Sequence, residues 1–293
     1  MYAFVLIHFG DNIKVLENEL YFLMNLQKCT KHDIIYMFSE TDTPRSFIKA
    51  INNLNKGIKL IGIKDKETTF KAAENFKSSY ERFNTIRTCN FMYAFKLKQY
   101  SKICTLESDM YIRENIDDIF DLQEPAVLNT WTIERKPTKE IKYTNNQITK
   151  NLPKNKFMIH GSVINGGVML FKPDVKIFKK LKKYFFKMLK LKDYPKYPNE
   201  ALFVYTMMRL KIKVFNMPIK YNCLHRKITE YFEKTKSKAI IYHFDFSEYK
   251  LLDVVKDGYV YKDEQRNIVT KEYKEKIYDV FKDKINKTLE KLN

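Results

Sequence analysis

Short apolar runs that alternate with stretches of helical periodicity constrain this chain more than any other feature. Tyr2 to His8 is an unbroken, mostly apolar run closed by a Gly10-Asp11-Asn12 turn, after which apolar residues recur at helical spacing at Val15, Leu16, Leu20, Leu23 and Leu26. Asp33 to Phe38 reads as a second strand. Thr43 to Asn55 reads as a helix, with Asp42 or Thr43 as its cap, Pro44 in its first turn and Phe47, Ile48, Ile51 and Leu54 on one face. Leu60 to Ile63 is a third strand. Strands and helices in this order predict an α/β fold with parallel central strands, and make the first 125 residues or so a nucleotide-binding type of half.

The remainder continues the alternation. Residues 80 to 99 read as one long helix carrying Phe83, Ile86, Met92, Tyr93 and Phe95, and Lys102 to Leu106 is a short strand that ends abruptly in Glu107-Ser108-Asp109. Glu134 to Lys156 is polar, with Pro137 and Pro153 and little periodicity, and reads as a long surface loop or acceptor-contacting lid. Ile164 to Phe171 is a strand around Asn165-Gly166-Gly167, Val175 to Leu191 an amphipathic basic helix, Glu200 to Leu210 another helix, Lys213 to Phe215 a short strand and Ala239 to Phe244 the last buried strand. A charged helix from Lys271 to Leu292 carries one apolar face, suited to docking on the sheet or to pairing with a second copy in a homodimer. There is no internal repeat.

Charge narrows the function classes. With 54 basic and 35 acidic residues the net charge is +19, but only 8 of the basic residues are Arg. Arg does most base-edge reading and bidentate phosphate binding, so lysines dispersed along the chain, rather than gathered in one arm or helix face, argue for a solvated coat and against a nucleic-acid binder. Cys29, Cys89, Cys104 and Cys223 are far apart, with no C-x-x-C pair to suggest zinc or redox chemistry. The opening apolar run is too short to span a membrane and lacks a charged lead and a cleavage site. No other stretch approaches about 18 apolar residues, so a cytoplasmic protein without a transmembrane segment is expected.

The end of the Lys102 to Leu106 strand is where chemistry concentrates. Open α/β sheets place ligands at the carboxyl ends of their strands, and residues i and i+2 of an extended segment point the same way. Glu107 and Asp109 can therefore face one hard divalent cation that bridges to phosphate; alternatively, an acidic pair merely caps the strand. Glycines inside a strand, as at Gly166 and Gly167, mark a bulge or a close approach of backbone to ligand. His243 ends another buried run, either as a satisfied core residue or as a third ligand for Mn²⁺. Lys250, seven residues on, could reach a phosphate.

Taken together these segments carry a resemblance. Tyr100-Ser-Lys-Ile-Cys-Thr-Leu-Glu107-Ser-Asp109, continuing through Asn115-Ile-Asp117-Asp-Ile-Phe120, resembles the signature of the glycogenin-like family 8 glycosyltransferases. Asn165-Gly-Gly-Val, Pro218-Ile-Lys-Tyr221-Asn222 and His243-Phe244 resemble further blocks of that family, in family order, as does the opening Ala3-Phe-Val-Leu-Ile strand with Asp11. The resemblance implies an α/β fold of GT-A type, a Rossmann-like mixed, mostly parallel sheet flanked by helices. One domain would span 1–250, with a nucleotide-binding half 1–125 and an acceptor and sugar half 126–250, followed by a helical extension 251–293.

It also implies retaining transfer of a hexose or related sugar from a UDP-sugar to a hydroxyl on a protein or glycan, assisted by Mn²⁺ or Mg²⁺. Glu107, Asp109 and His243 would hold the metal, with Asp109 and Ser108 also meeting the donor. Asn165, Gly166 and Gly167 would line the sugar site, Leu6, His8 and Asp11 would lie near the uracil, and Asn165 and Glu200 would act catalytically by orienting the sugar. Lys250 or Arg87 would meet the pyrophosphate. The chain departs from the family pattern at Glu107, which replaces Asp, at Asn199-Glu200-Ala201 in place of Asp-Gln-Gly, and in the His243 to Lys250 segment, which lacks a Gly and sets its Lys one residue late. Those departures keep open an alternative, a catalytically degenerate member that binds sugar nucleotides or acts as a scaffold.

Overall fold

A computed structural model describes residues 1–54, 57–75, 80–129, 164–191, 195, 197–244 and 250–292; the expected Glu134 to Lys156 loop lies outside them. The first half runs β1 (Tyr2–His8), α1 (Ile13–Cys29), β2 (Asp33–Ser39), α2 (Arg45–Leu54), β3 (Ile58–Ile63), α3 (Lys66–Asn75), α4 (Tyr80–Arg87), β4 (Lys102–Leu106), β5 (Met110–Ile112) and β6 (Ala126–Asn129). After it come β7 (Ile164–Phe171), α5 (Val175–Met188), α6 (Pro198–Arg209), β8 (Phe215–Asn216), β9 (Cys223–Leu224), α7 (Ile228–Thr235), β10 (Ile241–His243), α8 (Leu251–Asp257), α9 (Glu264–Tyr273) and α10 (Asp279–Leu289).

Seven strands form the main sheet in the order β3-β2-β1-β4-β7-β6-β8. The first four are parallel, β7 is antiparallel to both its neighbours, and β8 is parallel to β6. Alternate residues of β1 feed opposite layers, Phe4 and Leu6 packing with α1 and α2, Ala3 and Val5 with the Thr88–Lys96 turns, α5 and α6. Both faces are therefore buried, which is why the strand reads as a continuous apolar run. β1 and β4 are neighbours, yet the chain leaves β1 toward β2 and β4 toward the other side. This is the switch point of an open α/β sheet, beyond whose strand ends such sheets bind their ligands.

A second, three-stranded sheet, β5-β10-β9, sits past the end of β4, with β10 antiparallel to β5 and parallel to β9. The C-terminal helices pack on α1 and α2, burying Tyr273, Ile277 and Ile285. No helix among the described residues is long and apolar enough to cross a membrane.

Two local differences from the sequence reading have physical causes. The helix expected over residues 80 to 99 ends at Arg87 and continues as tighter 3₁₀ turns from Thr88 to Lys96. Cys89 through Phe95 are all buried, so no solvent face imposes a 3.6-residue repeat there. The tail helix starts earlier than Lys271, at Glu264, and passes through a π-helical turn over Lys274–Tyr278.

Candidate active site

Beyond Leu106 the chain turns through Glu107-Ser108-Asp109 into β5, and backbone bonds fix this turn on both sides. The Glu107 N–H donates to the Gly167 carbonyl at 3.0 Å, and the Phe244 N–H donates to the Asp109 carbonyl at 2.9 Å. Register then pairs Met110 with His243 across β5 and β10, which brings the imidazole to the carboxylates. Ligand atoms of Glu107, Asp109 and His243 all lie within 4.8 Å of one another. His243 Nε2 is 3.3 Å from Asp109 Oδ1 and 3.4 Å from Glu107 Oε2; the His243 side chain is 1% exposed, Asp109 14% and Glu107 44%. The cluster is closed on the histidine side and open on the glutamate side.

Its chemistry fits a divalent cation. Asp109 Oδ1 and His243 Nε2 are buried without a hydrogen-bond partner, an arrangement proteins rarely tolerate unless something else satisfies the atoms. Two carboxylates and one imidazole are a donor set that suits Mn²⁺, and Mg²⁺ through the oxygens. Burial opposes ionisation of Asp109, yet His243 and then Lys250, which is ion-paired to its other oxygen, hold its pKa well below the usual carboxylate range. Burial likewise disfavours charge on His243, but Asp109 and Glu107 outweigh it and push the imidazole up to about 10.

A relay of carboxamides sets the orientation of the imidazole. The Gly167 N–H donates to Asn165 Oδ1 at 3.0 Å, which identifies that atom as an acceptor. Asn222 Nδ2 donates to the same oxygen at 2.8 Å, so Asn222 presents Oδ1 to His243 Nδ1 at 2.9 Å. Nδ1 must therefore carry a proton whatever the charge of the ring, and Nε2 is the nitrogen that would give up its proton to a metal. Asn222→Leu should lower Mn²⁺ affinity by about 10- to 100-fold, whereas Asn222→Asp, which keeps an acceptor facing Nδ1 but loses the donor to Asn165 Oδ1, should fall between the Leu variant and wild type. Calorimetric titration with Mn²⁺ checks this, and an unchanged Leu variant would remove the relay from the account.

The two glycines lie where no side chain fits. The β6 to β7 register slips between Val127 and Leu128, so the Gly166-Gly167 segment is bulged. A Cβ on Gly167 would stand 2.8 Å from both His243 Nδ1 and the Met110 methyl, and one on Gly166 would stand 2.9 Å from the Asn199 amide. Glu200, buried in the first turn of α6 behind Pro198, accepts the Gly166 N–H at 2.8 Å. The structure thus brings Asn165, Gly166, Gly167, Glu200 and the three candidate ligands together. Asn222, which sequence reasoning noted only within a matching block, joins them.

Other expected residues sit around this cluster in different states. Ser108 receives Asn18 Nδ2 on its carbonyl at 2.9 Å and on its hydroxyl at 3.2 Å, which tethers the motif to α1. Asp11 is exposed in the turn after β1, while Leu6 and His8 are buried. Arg87 is buried as well, donating to Asp42, lying 3.8 Å from Asp65 and covering the Phe9 ring at 4.7 Å. Since Asp42 also accepts the Gly10 N–H at 3.0 Å, where Gly10 has φ +88°, Arg87 holds the turn after β1 from behind.

Both nitrogens of His8 face acceptors. Nε2 lies 3.0 Å from the Gly10 carbonyl and Nδ1 2.8 Å from Glu19, whose carboxylate also accepts the Tyr36 hydroxyl at 2.7 Å. Burial opposes charge on the ring, but Glu19 and the Gly10 carbonyl prevail and the His8 pKa is raised. A raised folded-state value means that this pair stabilises the fold fully below the unfolded value of about 6.5, and that the contribution is lost as pH rises through the folded value. The melting-temperature advantage of wild type over His8→Gln should therefore be greatest in mild acid and shrink in alkali. A difference that grows with pH would contradict the pairing.

Comparisons with known proteins follow the geometry. No family model matches the chain. An uncharacterized protein of Acanthamoeba polyphaga mimivirus is 26% identical over 259 residues, covering 85% of this chain and 82% of that protein. Among solved structures, the fold is similar to the glycosyltransferase GlyE of Streptococcus pneumoniae (TM-score 0.54, 15% identity, 99% of this chain and 63% of GlyE). It is also similar to the galactosyltransferase LgtC, solved with donor and acceptor sugar analogs (TM-score 0.52, 13% identity, 85% of this chain and 88% of LgtC). WbbM, a bifunctional glycosyltransferase, is a third (TM-score 0.53, 12% identity, 92% of this chain), and the chain spans half of its length. At such identities the likeness concerns the fold, and that fold is the GT-A fold of glycosyltransferases.

Proposed function

We propose that the chain is a metal-dependent, retaining glycosyltransferase of the glycogenin-like family 8 kind. It would move a hexose or related sugar from a UDP-sugar to a hydroxyl of a protein or glycan acceptor. The observation that carries this reading is the convergence of Glu107, Asp109 and His243 at the switch point of a GT-A sheet, with two buried atoms of the cluster making no hydrogen bond. A bound divalent cation would supply neutralisation of the charge that builds on the departing diphosphate.

The chain's own groups divide the remaining work. Lys250, whose head group is half exposed on Asp109, is within reach of the same diphosphate and adds positive charge to it. Asn165 has its oxygen engaged inward, which leaves its Nδ2 to hold a sugar hydroxyl. Glu200 fixes the Gly166 backbone so that the sugar can lie flat against the bulge. The buried histidine wall excludes water from one side of the cluster and leaves the Glu107 side open for donor and acceptor. Retention then follows from an acceptor hydroxyl that approaches on the face the diphosphate leaves, with that diphosphate accepting its proton.

Incubation with Mn²⁺ and a panel of UDP-, GDP- and CMP-sugars, with detection of released nucleotide, tests the proposal. Slow hydrolysis of one UDP-sugar, abolished by chelator, is the expected result. Metal-dependent UDP binding without turnover of any donor, with or without glycan and protein acceptors, would replace it with the binding or scaffolding role.

A further inference from the structure

One helix breaks the even spread of lysines along the chain. From Lys172 to Lys190 there are eight Lys and no Arg, with Asp174 as the sole acid, so 19 residues hold +7 of the net +19. Asp174 is engaged at the N-terminus of α5, accepting the Lys176 N–H. At 100° per residue Lys176, Lys179, Lys180, Lys183 and Lys187 fall within an arc of about 100°, over a helix about 21 Å long. All five are exposed, as are Lys172 and Lys190 at the two ends. Lys182 points aside and pairs with Glu67 at 2.8 Å. Among the described residues no carboxylate lies within ion-pair distance of the other seven. The opposite face is anchored, with Leu181, Phe185 and Met188 buried against the sheet.

We infer that this ridge docks the protein on an anionic lipid bilayer. Three observations select that partner. The charges are ammonium groups, compact point charges without the planar fork that reads bases or grips phosphates bidentately. The aromatic rings beside the arc, Tyr184 and Phe186, are only half exposed and already engaged, Tyr184 edge-on to Tyr205 and beneath Lys187, Phe186 beneath Lys71 and Lys182, so neither offers an open platform for stacking single-stranded bases. The lysines lie along one face of a single helix, a row of charges that can meet a plane of mobile headgroups together. Each lysine brought near such a surface contributes about 1 kcal/mol, roughly fivefold in partition, and salt weakens all of them together. Because β7 is antiparallel to β4, α5 starts at the sheet end away from Glu107 and returns toward the helix that carries Glu200, so the ridge runs along the body without covering the cluster.

Sedimentation of the whole chain with vesicles of phosphatidylcholine, with or without phosphatidylserine, tests the inference. Partition should require phosphatidylserine, fall with salt, and drop at least about tenfold in Lys179→Glu/Lys183→Glu. Lys49→Glu/Lys262→Glu, equal in charge change but off the ridge, should lose far less, and melting temperatures should confirm that both variants fold. Equal losses in the two variants would assign binding to overall charge and overturn the ridge. Absence of partition at low salt, or capture of a single-stranded oligonucleotide in place of vesicles, would overturn the lipid partner.

Discussion

Asp109→Asn should reduce donor turnover by about 10²- to 10³-fold or more, the loss associated with removing one preorganised electrostatic contact at a reacting charge. The substitution keeps the shape of the side chain and leaves the strand-pairing bond from Phe244 to the Asp109 carbonyl intact. What it removes is a carboxylate held ionised between His243 and Lys250 in spite of its burial. Mn²⁺ affinity should fall in parallel with turnover, because Asp109 Oδ1 is one of the two buried atoms of the cluster that make no hydrogen bond. A variant that kept metal-dependent turnover within a few-fold of wild type would remove Asp109 from the metal site.

The second large effect is expected from a single methyl group. Gly167→Ala places a Cβ against the His243 ring and the Met110 methyl, while the backbone that bears it is bonded to both Glu107 and Asn165. Overpacking at such a point costs about 1–3 kcal/mol of stability, and displacement of His243 should cost a further 10- to 100-fold in metal affinity. The two consequences can be separated. Met110→Leu in the Gly167→Ala background withdraws the terminal methyl while keeping most of the buried volume, relieving one clash and not the other, so it should restore part of the melting temperature without restoring Mn²⁺ binding. Recovery of both together would mean that the ring tolerates the methyl group.

How much of this was legible beforehand depends on the length of each element. β1, β2, β4 and β7 are buried on both sides for five to eight residues and announce themselves as apolar runs. Of the strands of two to four residues, β8 and β10 were read at Lys213 to Phe215 and Ala239 to Phe244, but β5, β6 and β9 are too short to show a period, so nothing marked the partners of β10 and the second sheet had no signature of its own. The carboxylates of the cluster could be picked out because they interrupt an apolar strand, and His243 because it ends one. Asn222 could not be given a role from spacing, since its partners lie 57 residues away at Asn165 and 21 away at His243. Nor could the burial of His8, which depends on Glu19 facing it from α1 and Tyr36 from β2.

The small sheet also dictates when the site can exist. β10 is its middle strand, and β5 and β9 have no other partner within that sheet. A ribosome that has released residues 1 to 240 has already delivered the four parallel strands and both carboxylates, but not the imidazole or the strand that draws it toward them. The candidate cluster therefore requires residues through His243, whose strand brings the imidazole to an acidic turn that the chain has laid down more than 130 residues earlier.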